Sequence, residues 1–495
     1  MRKLVLILFI FLNTTVFAQA PEIVWENTYQ KNELCGAKIR DIAPTSDGGS
    51  VGVGDSCSDY YIVKIDSNGN KEWDTTFGGS GTEIAESINQ TQDGGYIING
   101  RTHSPNDGNV QGNHGGIDFW VVKLSSTGSF QWGKCFGSLY DDFGYDIIQT
   151  DDGNYLALGY LYPTSLTING FGGADYWILK LSPNGTIIWQ YTYGGNGDDK
   201  PVSFSQTSDG GFVVSGLTLS SSGQVTGNNG GLDAWIIKID QNGTLQWQKN
   251  IGGSNNDLIN MIKETSDGNY ILVGATRSND GDVSGNHGDN DIWVVKMNSL
   301  GDILWQKCYG GSLHDYSTSV IETSDGNFIV NGYTNSTDGD ITSSFGSYDA
   351  WIIKFNDNGD IIWSKTLGSI ESDYSRAIHT TSDNGLIVAG DRYIDSSFGS
   401  VGLVYKLSSD NLSISELNNN LISIYPNPSF DELNIKFNTN NYFINSITIV
   451  DALGKIVFKS SDSSSKIDIS NFSDGIYYIT ITTESETFQT KFIKV

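Results

Sequence analysis

The sequence predicts an all-β protein in which a long array of four-stranded repeats precedes a small second domain. A turn that begins Thr-x-Asp recurs seven times, continuing with Gly in six cases and with Asn-Gly in the seventh, and all 12 tryptophans lie between residues 25 and 363 in two recurring phrases. Self-similarity of this kind indicates one structural unit that is used many times. The turns begin at Thr45, Thr91, Thr150, Thr207, Thr265, Thr323 and Thr381.

Residues 82–136 show the content of one repeat. The β-prone runs "TEIAESINQT" and "YIINGRT" flank an Asp-Gly turn, which supplies the positive φ that a tight hairpin needs. A long polar loop leads to "IDFWVVKLS", and a short turn joins that run to "SFQWGKCFG". The third run is almost continuously apolar, as is typical of a strand covered on both faces. Four strands per repeat in a long array predict the blades of a β-propeller.

Seven Asp-Gly turns predict a seven-bladed β-propeller over residues 22–408. The array starts with a fourth-strand phrase, "PEIVWENTYQ" at 21–30, and ends with three strands and no fourth. A ring closed by both ends of the chain leaves no unpaired strand edge. We therefore expect residues 21–30 to complete the seventh blade, with Trp25 in the place that Trp363 has in the sixth.

The first 18 residues are predicted to be a signal peptide. Arg2 and Lys3 precede the apolar run "LVLILFIFL", and small residues lead to a cleavage point after Ala18. This run is too short for a comfortable membrane span and no later segment qualifies, so no transmembrane segment is expected in the mature chain. The net charge of −28 argues against nucleic-acid partners.

The second domain follows a polar linker at 409–419 and reads as a small Ig-like β-sandwich over residues 420–495. Its motifs are "IYPNP" (424–428), "DALGKIV" (451–457), "FSDGIY" (472–477) and "KFIKV" (491–495). In these motifs the region resembles the type A C-terminal sorting domain of the Bacteroidetes type IX secretion system. The resemblance rests on Pro426, Asn427, Pro428, Gly454, Lys455, Gly475, Tyr477 and Lys491.

That resemblance implies several properties. The protein is expected to be secreted or to reside on the outer-membrane surface, after export by the type IX machinery. The system's sortase is expected to remove the domain, and many proteins of this kind become attached to surface lipopolysaccharide.

Within a blade, the turns between strands one and two and between strands three and four lie on one face. The loops between strands two and three, and from strand four to the next blade, lie on the other. The turns are uniformly short, whereas the loops are long and variable, so we place ligand binding on the loop side.

An acid stands ten residues after each fourth-strand Trp, except that Cys35 takes this place in the first blade. These acids open the first strands and could ring the channel mouth as a weak cation site. Alternatively, they cap the backbone N–H groups of their own loops, which repetition in every blade favours. The six acids are Glu83, Asp142, Asp199, Asp257, Asp315 and Asp373.

A weak calcium signal lies in the loop "NDGDVSGNHGDND" at 279–291, where Asp280, Asp282 and Asp289 are the candidate ligands. No EF-hand spacing is complete, and Asx-turns explain the same composition. No other cofactor is predicted.

The four cysteines fall into two pairs. Cys35 and Cys57 both lie in the first blade and are expected to form a disulfide, as suits an exported protein. Cys135 and Cys308 occupy equivalent places three blades apart, so they are expected to remain buried and free.

Each third strand also carries a recurring Asp two residues before its Trp and a recurring Lys three residues after it. A buried lysine needs a charged partner, so these residues predict an Asp–Lys lattice. The residues are Asp118, Asp175, Asp233, Asp291, Asp349 and Lys64, Lys123, Lys180, Lys238, Lys296, Lys354, Lys406.

No motif points to catalysis, since the five histidines match no metal-ligand spacing and no Ser/His/Asp set stands apart from the repeat. The leading hypothesis is a secreted or surface-bound, non-catalytic binding or adhesion propeller whose loop side binds a glycan or protein. One alternative is an extracellular polysaccharide hydrolase or lyase, centred on a channel residue that breaks the repeat, such as Arg40, Lys200 or Arg376. A structural surface-layer component is the third possibility.

Overall fold

The computed structural model describes residues 20–495 apart from gaps at 33–34, 164–169, 397–398, 410–421, 438–443, 452–454, 461–464 and 484–486. The predicted signal peptide and nearly all of the predicted linker therefore lie outside the described residues. Every regular element that is described is a β-strand, and the chain divides into two units, Met1–Ser409 and Asp410–Val495. Nowhere in the described residues is there a helix long and apolar enough to cross a membrane.

The first unit contains 28 strands. The first thirteen are β1 Ile23–Tyr29, β2 Ala37–Pro44, β3 Ser50–Ser56, β4 Asp59–Ile65, β5 Lys71–Phe77, β6 Glu83–Gln90, β7 Tyr96–Thr102, β8 Asp118–Leu124, β9 Phe130–Phe136, β10 Phe143–Gln149, β11 Tyr155–Leu161, β12 Asp175–Leu181 and β13 Ile187–Tyr193. The others are β14 Asp199–Gln206, β15 Phe212–Thr218, β16 Asp233–Ile239, β17 Leu245–Ile251, β18 Asp257–Glu264, β19 Tyr270–Thr276, β20 Asp291–Met297, β21 Ile303–Tyr309, β22 Asp315–Glu322, β23 Phe328–Thr334, β24 Asp349–Phe355, β25 Ile361–Leu367, β26 Asp373–Thr380, β27 Leu386–Asp395 and β28 Gly399–Leu407.

These strands form seven antiparallel sheets of four strands each, as propeller blades do. Sheets 1 to 6 are β2–β5, β6–β9, β10–β13, β14–β17, β18–β21 and β22–β25, each taken from one continuous stretch of chain. Sheet 7 has the order β1-β28-β27-β26, so the first strand pairs with the end of the array. The expectation that residues 21–30 complete the last sheet is confirmed.

Apolar side chains join neighbouring sheets. One cluster contains Tyr29, Ala377 and Val404 of sheet 7 together with Ile39 and Val63 of sheet 1, so the last sheet packs on the first. Further clusters link the other neighbours, and the third-strand tryptophans lie at their centres, each at most 2% exposed. The buried tryptophans are Trp120, Trp177, Trp235, Trp293 and Trp351.

The recurring turn has one hydrogen-bonding scheme, which the first sheet illustrates. The Thr45 hydroxyl donates to Asp47 Oδ1 at 2.6 Å, and the Gly49 N–H donates to the same oxygen at 3.0 Å. Gly48 has a φ of 85°, which glycine adopts without steric cost. The Thr, the Asp and the Gly of the motif are therefore required by the turn itself.

The predicted pairing of the lattice is wrong. Each recurring lysine lies beside the Asp of its own sheet's turn: Lys64 is 2.9 Å from Asp47 and Lys238 is 2.9 Å from Asp209. The same ion pair is present in all seven sheets. The other five pairs are Lys123–Asp93, Lys180–Asp152, Lys296–Asp267, Lys354–Asp325 and Lys406–Asp383.

The five aspartates predicted as lysine partners lie at the opposite end of their strands. Asp118 and Lys123 are five residues apart on one strand, which separates them by roughly 16 Å. Instead, each of these aspartates accepts the backbone N–H of the residue four positions before it. Asp175 accepts that of Phe171 at 2.7 Å, and Asp291 accepts that of His287 at 2.9 Å.

The second unit has seven described strands in two sheets around one apolar core. The strands are β29 Ile422–Tyr425, β30 Glu432–Phe437, β31 Ile444–Asp451, β32 Ile456–Ser460, β33 Lys466–Asp468, β34 Gly475–Thr483 and β35 Thr487–Lys494. The sheet orders are β29-β30-β33 and β32-β31-β34-β35. Leu433 and Ile467 of the first sheet pack with Ile449 and Ile479 of the second, so apolar faces of the two sheets share the core.

Candidate functional site

The first strands of all seven sheets line one central cavity of about 520 Å³. Its wall combines apolar and polar side chains, and the charged groups in it break the repeat. Arg40 lies 2.9 Å from Asp55 and 3.4 Å from Glu86, and Arg376 lies 2.5 Å from Asp391. Both cations that were candidate catalytic centres are therefore held in ion pairs.

The third candidate, Lys200, is not in this wall. Its amine lies 3.3 Å from Asp198 and 5.2 Å from the centroid of the Tyr160 ring. This lysine thus belongs to the end of sheets 3 and 4 where the long loops begin.

Asp41 and His379 form the one close acid–imidazole pair of the cavity, within the part of the chain that is described, with 4.0 Å between Asp41 Oδ1 and His379 Nε2. Burial raises the pKa of Asp41 to about 6 and lowers the pKa of His379 to about 4. The two oxygens of Asp41 accept the backbone N–H groups of Ile42 at 2.8 Å and of Ile88 at 2.9 Å. This carboxyl group joins sheet 1 to sheet 2 at the bulge of the inner strands.

The six acids at the starts of the first strands are fully buried. Each accepts the N–H of the residue four positions earlier, as Asp257 does from Gly253 at 2.7 Å. Asp257 also accepts the hydroxyls of Thr276 and Ser278 from the end of the second strand. Asp373 differs in accepting Arg392 Nε at 2.5 Å. These contacts match the capping interpretation of the acids, which joins each first strand to the loops around it.

In sheet 1 the equivalent residue is Ala37 rather than Cys35. Ala37 pairs with Ser56 in the ladder, as Glu83 pairs with Thr102 in sheet 2. The Trp-to-acid spacing fails here because the connection from β1 to β2 is two residues longer than its counterparts.

Next to each capping acid lies the first residue of the preceding sheet's third strand. Asp233 and Asp257, for instance, both approach Gly252, where any side chain would contact their carboxylates. Asp233 Oδ1 is buried without a hydrogen-bond partner among the described residues. Burial raises the pKa of Asp233 to about 6. The hydrogen bond from the Asn229 N–H opposes this rise, and the negative charge of Asp257 adds to it. The same two-carboxylate arrangement recurs around Gly137, Gly194 and Gly310.

The calcium candidates do not come together. Asp280 Oδ1 accepts the Ser254 N–H at 2.7 Å, Asp282 Oδ2 accepts the Gly252 N–H at 3.2 Å, and Asp289 Oδ2 lies 3.8 Å from His314 Nε2. Among the described residues, no three or more acidic, histidine or cysteine side chains form a group that could hold a metal ion.

The cysteines are arranged as expected. Cys35 and Cys57 form a disulfide with a Cα–Cα distance of 5.2 Å, which confirms that pairing. Cys135 and Cys308 are free and buried, and burial raises the pKa of both thiols to about 12. Neither thiol is therefore a nucleophile at neutral pH.

The loop ends of sheets 6 and 7 carry a group of four half-buried rings, Tyr316, Tyr333, Tyr348 and Tyr374, which we name the tyrosine cluster. Its ring centroids lie 5.1 to 5.8 Å apart for the contacting pairs. Aromatic pairs at such separations stabilise one another in offset or edge-to-face geometry. No spacing in the sequence indicated this cluster.

A second aromatic group lies at the loop end of sheet 3. Phe143 stacks on Tyr160 with 4.9 Å between centroids, and Tyr145 and Tyr162 contact the same Tyr160 ring. Arg101 lies 5.2 Å from the Phe143 centroid, as Lys200 does from that of Tyr160. Cations of the chain itself thus lie over these rings.

The sorting motifs of the second unit converge on its last strand. The Ile493 N–H donates to Asn427 Oδ1 at 2.9 Å, between Pro426 and Pro428, and the Ser429 N–H donates to the Ile493 carbonyl at 2.7 Å. Gly475 opens β34, and the Tyr477 ring packs 5.5 Å from Phe492.

Lys491 lies on β35, Lys455 directly precedes β32, and a third motif residue is not covered. The Lys455 N–H donates to Asp451 Oδ1 at 2.9 Å, and the backbone of Lys491 pairs with Tyr478. Gly454 lies outside the described residues.

Comparisons with known proteins agree with this reading of the second unit. Residues 423–495 match the family described as the secretion system C-terminal sorting domain. The chain is also 24% identical over 219 residues to the regulatory protein FlaEY of Caulobacter vibrioides. That match covers 42% of this chain and only 22% of the relative's length.

Two solved structures match the chain at low identity and with TM-scores below 0.5. A protein of unknown function from Dyadobacter fermentans is 11% identical, with a TM-score of 0.40 over 78% of this chain and 99% of its own. PorZ of Porphyromonas gingivalis, a surface component of the type IX secretion system, is 10% identical with a TM-score of 0.23 over 92% and 81%.

The match to the sorting family settles where the protein acts. The chain carries the C-terminal sorting domain of a Bacteroidetes type IX secretion substrate, and it is exported to the cell surface or beyond.

Proposed function

We propose that the protein is a non-catalytic binding protein of the bacterial surface. In this proposal the seven sheets form a closed seven-bladed propeller, the second unit is an Ig-like sorting module, and the propeller contacts an extracellular glycan or protein. The contact is made by the loop face, which we define as the loops from second to third strands and from each sheet to the next.

The observation that carries the proposal is the distribution of exposed apolar side chains. Seven of them lie in the loops of the loop face, with Ile370 at 83% and Leu139 at 74% exposure, and two more lie at the loop end of β27, whereas the described turns on the opposite face hold one, Leu300. Seven others lie along the fourth strands β1, β13, β21 and β25. Apolar side chains concentrated on one face mark an interaction surface. The other loop-face residues are Tyr140, Phe171, Leu219, Leu313, Phe345, Tyr393 and Ile394.

Four of the long loops are anchored to the sheets, including the two that carry Leu219 and Phe345. Each long loop of sheets 2, 4, 5 and 6 buries one branched apolar residue in its own blade: Val110, Val225, Val283 and Ile341. Loops held in this way lose little conformational entropy when a ligand binds. The loop face is thus a preformed surface rather than a set of free segments.

The central cavity supports the non-catalytic part of the proposal. Arg40 and Arg376 are engaged in ion pairs, and both oxygens of Asp41 accept backbone N–H groups. A general acid or base needs its titrating atom to be directed at a substrate, and these groups are directed at the chain.

Arrays of glycans and of extracellular matrix proteins, probed with the secreted chain, test the proposal. We expect binding that Leu139→Ser combined with Ile370→Ser weakens and that the turn-face control Leu300→Ser leaves unchanged. Equal weakening by both variants, no binding on either array, or release of new reducing ends from a bound polysaccharide contradicts the proposal.

We also propose that the type IX sortase removes the second unit and couples the propeller to surface lipopolysaccharide. Intact mass analysis of the protein at the cell surface tests this step. A mass that ends in the linker region and carries a glycolipid adduct supports it, and a full-length chain at the surface contradicts it.

A further inference from the structure

We propose that the tyrosine cluster is the part of the loop face that binds the ligand, and that this ligand is a neutral oligosaccharide. The inference rests on the proposed function of a binding protein and names the class of its ligand.

The cluster breaks the repeat at positions that have no structural need for an aromatic ring. Tyr316 and Tyr374 are the second residues of β22 and β26, and the other first strands have Lys38, Ile84, Phe143, Lys200 and Leu258 there. Tyr333 pairs with Tyr316 across the ladder. Lysine, isoleucine and leucine all satisfy the fold at this place, so the tyrosines of sheets 6 and 7 are not explained by packing alone.

The rings form one continuous surface that links two sheets. Tyr374 lies 5.1 Å from Tyr333 at an interplanar angle of 83° and 5.4 Å from Tyr348 at 31°. Tyr316 extends the surface at 5.3 Å from Tyr333, and the His314 ring stacks beyond it at 6.1 Å. All five rings are half-buried, so each is held by the protein and still open to solvent on one side.

A pyranose ring has one face of C–H groups and a rim of hydroxyls, which suits a surface that is aromatic in the middle and polar at the edges. Burial raises the pKa of Tyr333 to about 12, so its hydroxyl stays protonated and remains a hydrogen-bond donor. Across the described residues, the hydroxyls of Tyr333, Tyr348 and Tyr374 have no hydrogen-bond partner in the chain. The Asn290 side-chain amide already donates to the Tyr316 hydroxyl at 3.0 Å.

Charge selects a neutral ligand. Arg376, a cation next to the cluster, is paired with Asp391 at 2.5 Å. The whole chain carries a net charge of −28, which repels uronic-acid and sulfated polysaccharides. A ligand without charge meets neither an unpaired cation nor this repulsion at the site.

The aromatic group of sheet 3 provides an internal contrast. Its rings include the buried Tyr160, 6% exposed, and Arg101 and Lys200 lie over the Phe143 and Tyr160 rings. Those faces are closed to a sugar. We therefore assign the binding role to sheets 6 and 7 and use sheet 3 as a matched control.

The test is calorimetric titration of the secreted chain with hexasaccharides of β-1,4-glucan, β-1,3-glucan, α-1,4-glucan and mannan, beside alginate and pectin oligomers. We expect at least one neutral hexasaccharide to bind and the acidic oligomers not to bind. Tyr374→Ala and Tyr348→Ala should each weaken binding about tenfold or more through the lost ring. Tyr374→Phe, which retains the ring, should weaken it less, and the control Tyr145→Ala should leave it unchanged. Melting curves for each variant separate a lost contact from a lost fold.

Three results overturn the inference. They are the absence of binding to all four neutral hexasaccharides, preferential binding of alginate or pectin, and equal losses in Tyr145→Ala and Tyr374→Ala. Any one of these results can be obtained while matrix proteins still bind and the double variant Leu139→Ser with Ile370→Ser weakens that binding. In that case the proposed function survives with a protein ligand. If neither class of ligand binds, the proposed function fails as well.

Discussion

The two faces of the seven-sheet unit differ in how closely their residues repeat from sheet to sheet. We call the face opposite the loop face, which carries the short turns within the sheets, the turn face. On the turn face, the same Thr, Asp and Gly recur in the turns, and a lysine from the third strand joins the Asp in every sheet. On the loop face, the residues differ from sheet to sheet, and rings gather in sheets 3, 6 and 7. What repeats is required by the fold, and what departs from the repeat at an exposed end is available for binding.

The largest expected effect concerns sheet 7, in which β1 from the start of the array pairs with β28 from its end. Deletion of residues 21–30 removes β1, exposes the edge of β28 and empties the place of Tyr29, whose hydroxyl donates to the Gly69 carbonyl at 2.6 Å. We expect the free energy of unfolding to fall by about 5 kcal/mol or more. Denaturant titration measures it, with the exposed Val24→Ser in the same strand as a control of small effect. An unchanged unfolding curve after the deletion contradicts closure by β1.

The next effect breaks the turn face in one sheet. Asp209→Ala leaves the Lys238 amine, on a side chain 3% exposed, with only the Ile239 carbonyl at 3.3 Å. We expect a loss of about 1–3 kcal/mol, since Asp209 is largely exposed and water reaches the amine in its absence. The double variant Asp209→Ala with Lys238→Met should recover most of the loss. The exposed pair Lys249–Asp302 is the control, and Lys249→Ala should cost no more than about 1 kcal/mol. Equal losses in the free energy of unfolding at the two sites would show that the turn ion pairs stabilise the fold no more than an exposed ion pair does.

The third effect is a pH dependence in which the two faces act in opposite directions. At the loop ends, burial raises the pKa of Asp142 and of Asp175 to about 7. The folded state then binds more protons than the unfolded state between about pH 4 and 7, so stability falls as pH rises through that window. In the turns, burial is outweighed by the hydrogen bonds from Thr207 and Lys238, and the pKa of Asp209 is lowered to about 2. That contribution is lost as pH falls from about 4 to 2.

Melting temperatures from pH 2 to pH 9 should therefore pass through a maximum at about pH 4. Asp175→Asn should flatten the neutral side of the curve without moving the acid side. A melting temperature that rises steadily from pH 5 to pH 8 contradicts protonation of these buried acids.

The smallest expected effect is on the loop face itself. Ile370→Ser changes a side chain that is 83% exposed, so the free energy of unfolding should change by less than about 0.5 kcal/mol. Ligand binding should nevertheless weaken by roughly threefold to tenfold, in line with loss of a peripheral contact. Parallel melting and binding measurements on this variant check both numbers. A change in stability larger than the change in binding would place Ile370 with the fold instead.

Much of the fold was accessible to sequence reasoning because its signals are local. The Asp-Gly turn and the third strand that is apolar throughout are each recognised within a few residues. The fourth-strand phrase at the start of the array is recognised by counting strands. They predicted the four-stranded sheets and the pairing of β1 with β28. The Cys35–Cys57 disulfide followed from the same division into units.

The errors and omissions arose where the answer depends on which strand ends meet. The recurring Asp and Lys of the third strands were predicted to pair between strands or sheets, although a seven-residue strand carries every such Asp to one face and every such Lys to the other. The tyrosine cluster was missed because its members come from four separate segments with no common spacing. The four tyrosines come together because two neighbouring sheets pack side by side. Spacing in the sequence does not show which residues of those sheets are close to one another.

Hydrogen–deuterium exchange of the secreted chain tests the contrast between the faces most directly. The chain is measured alone and with the neutral hexasaccharide that binds best. The account predicts slower exchange at loop-face segments 312–318 and 345–350 and unchanged exchange at the turns that begin at Thr265 and Thr323. Protection confined to those turns, with the loop segments unaffected, would contradict it.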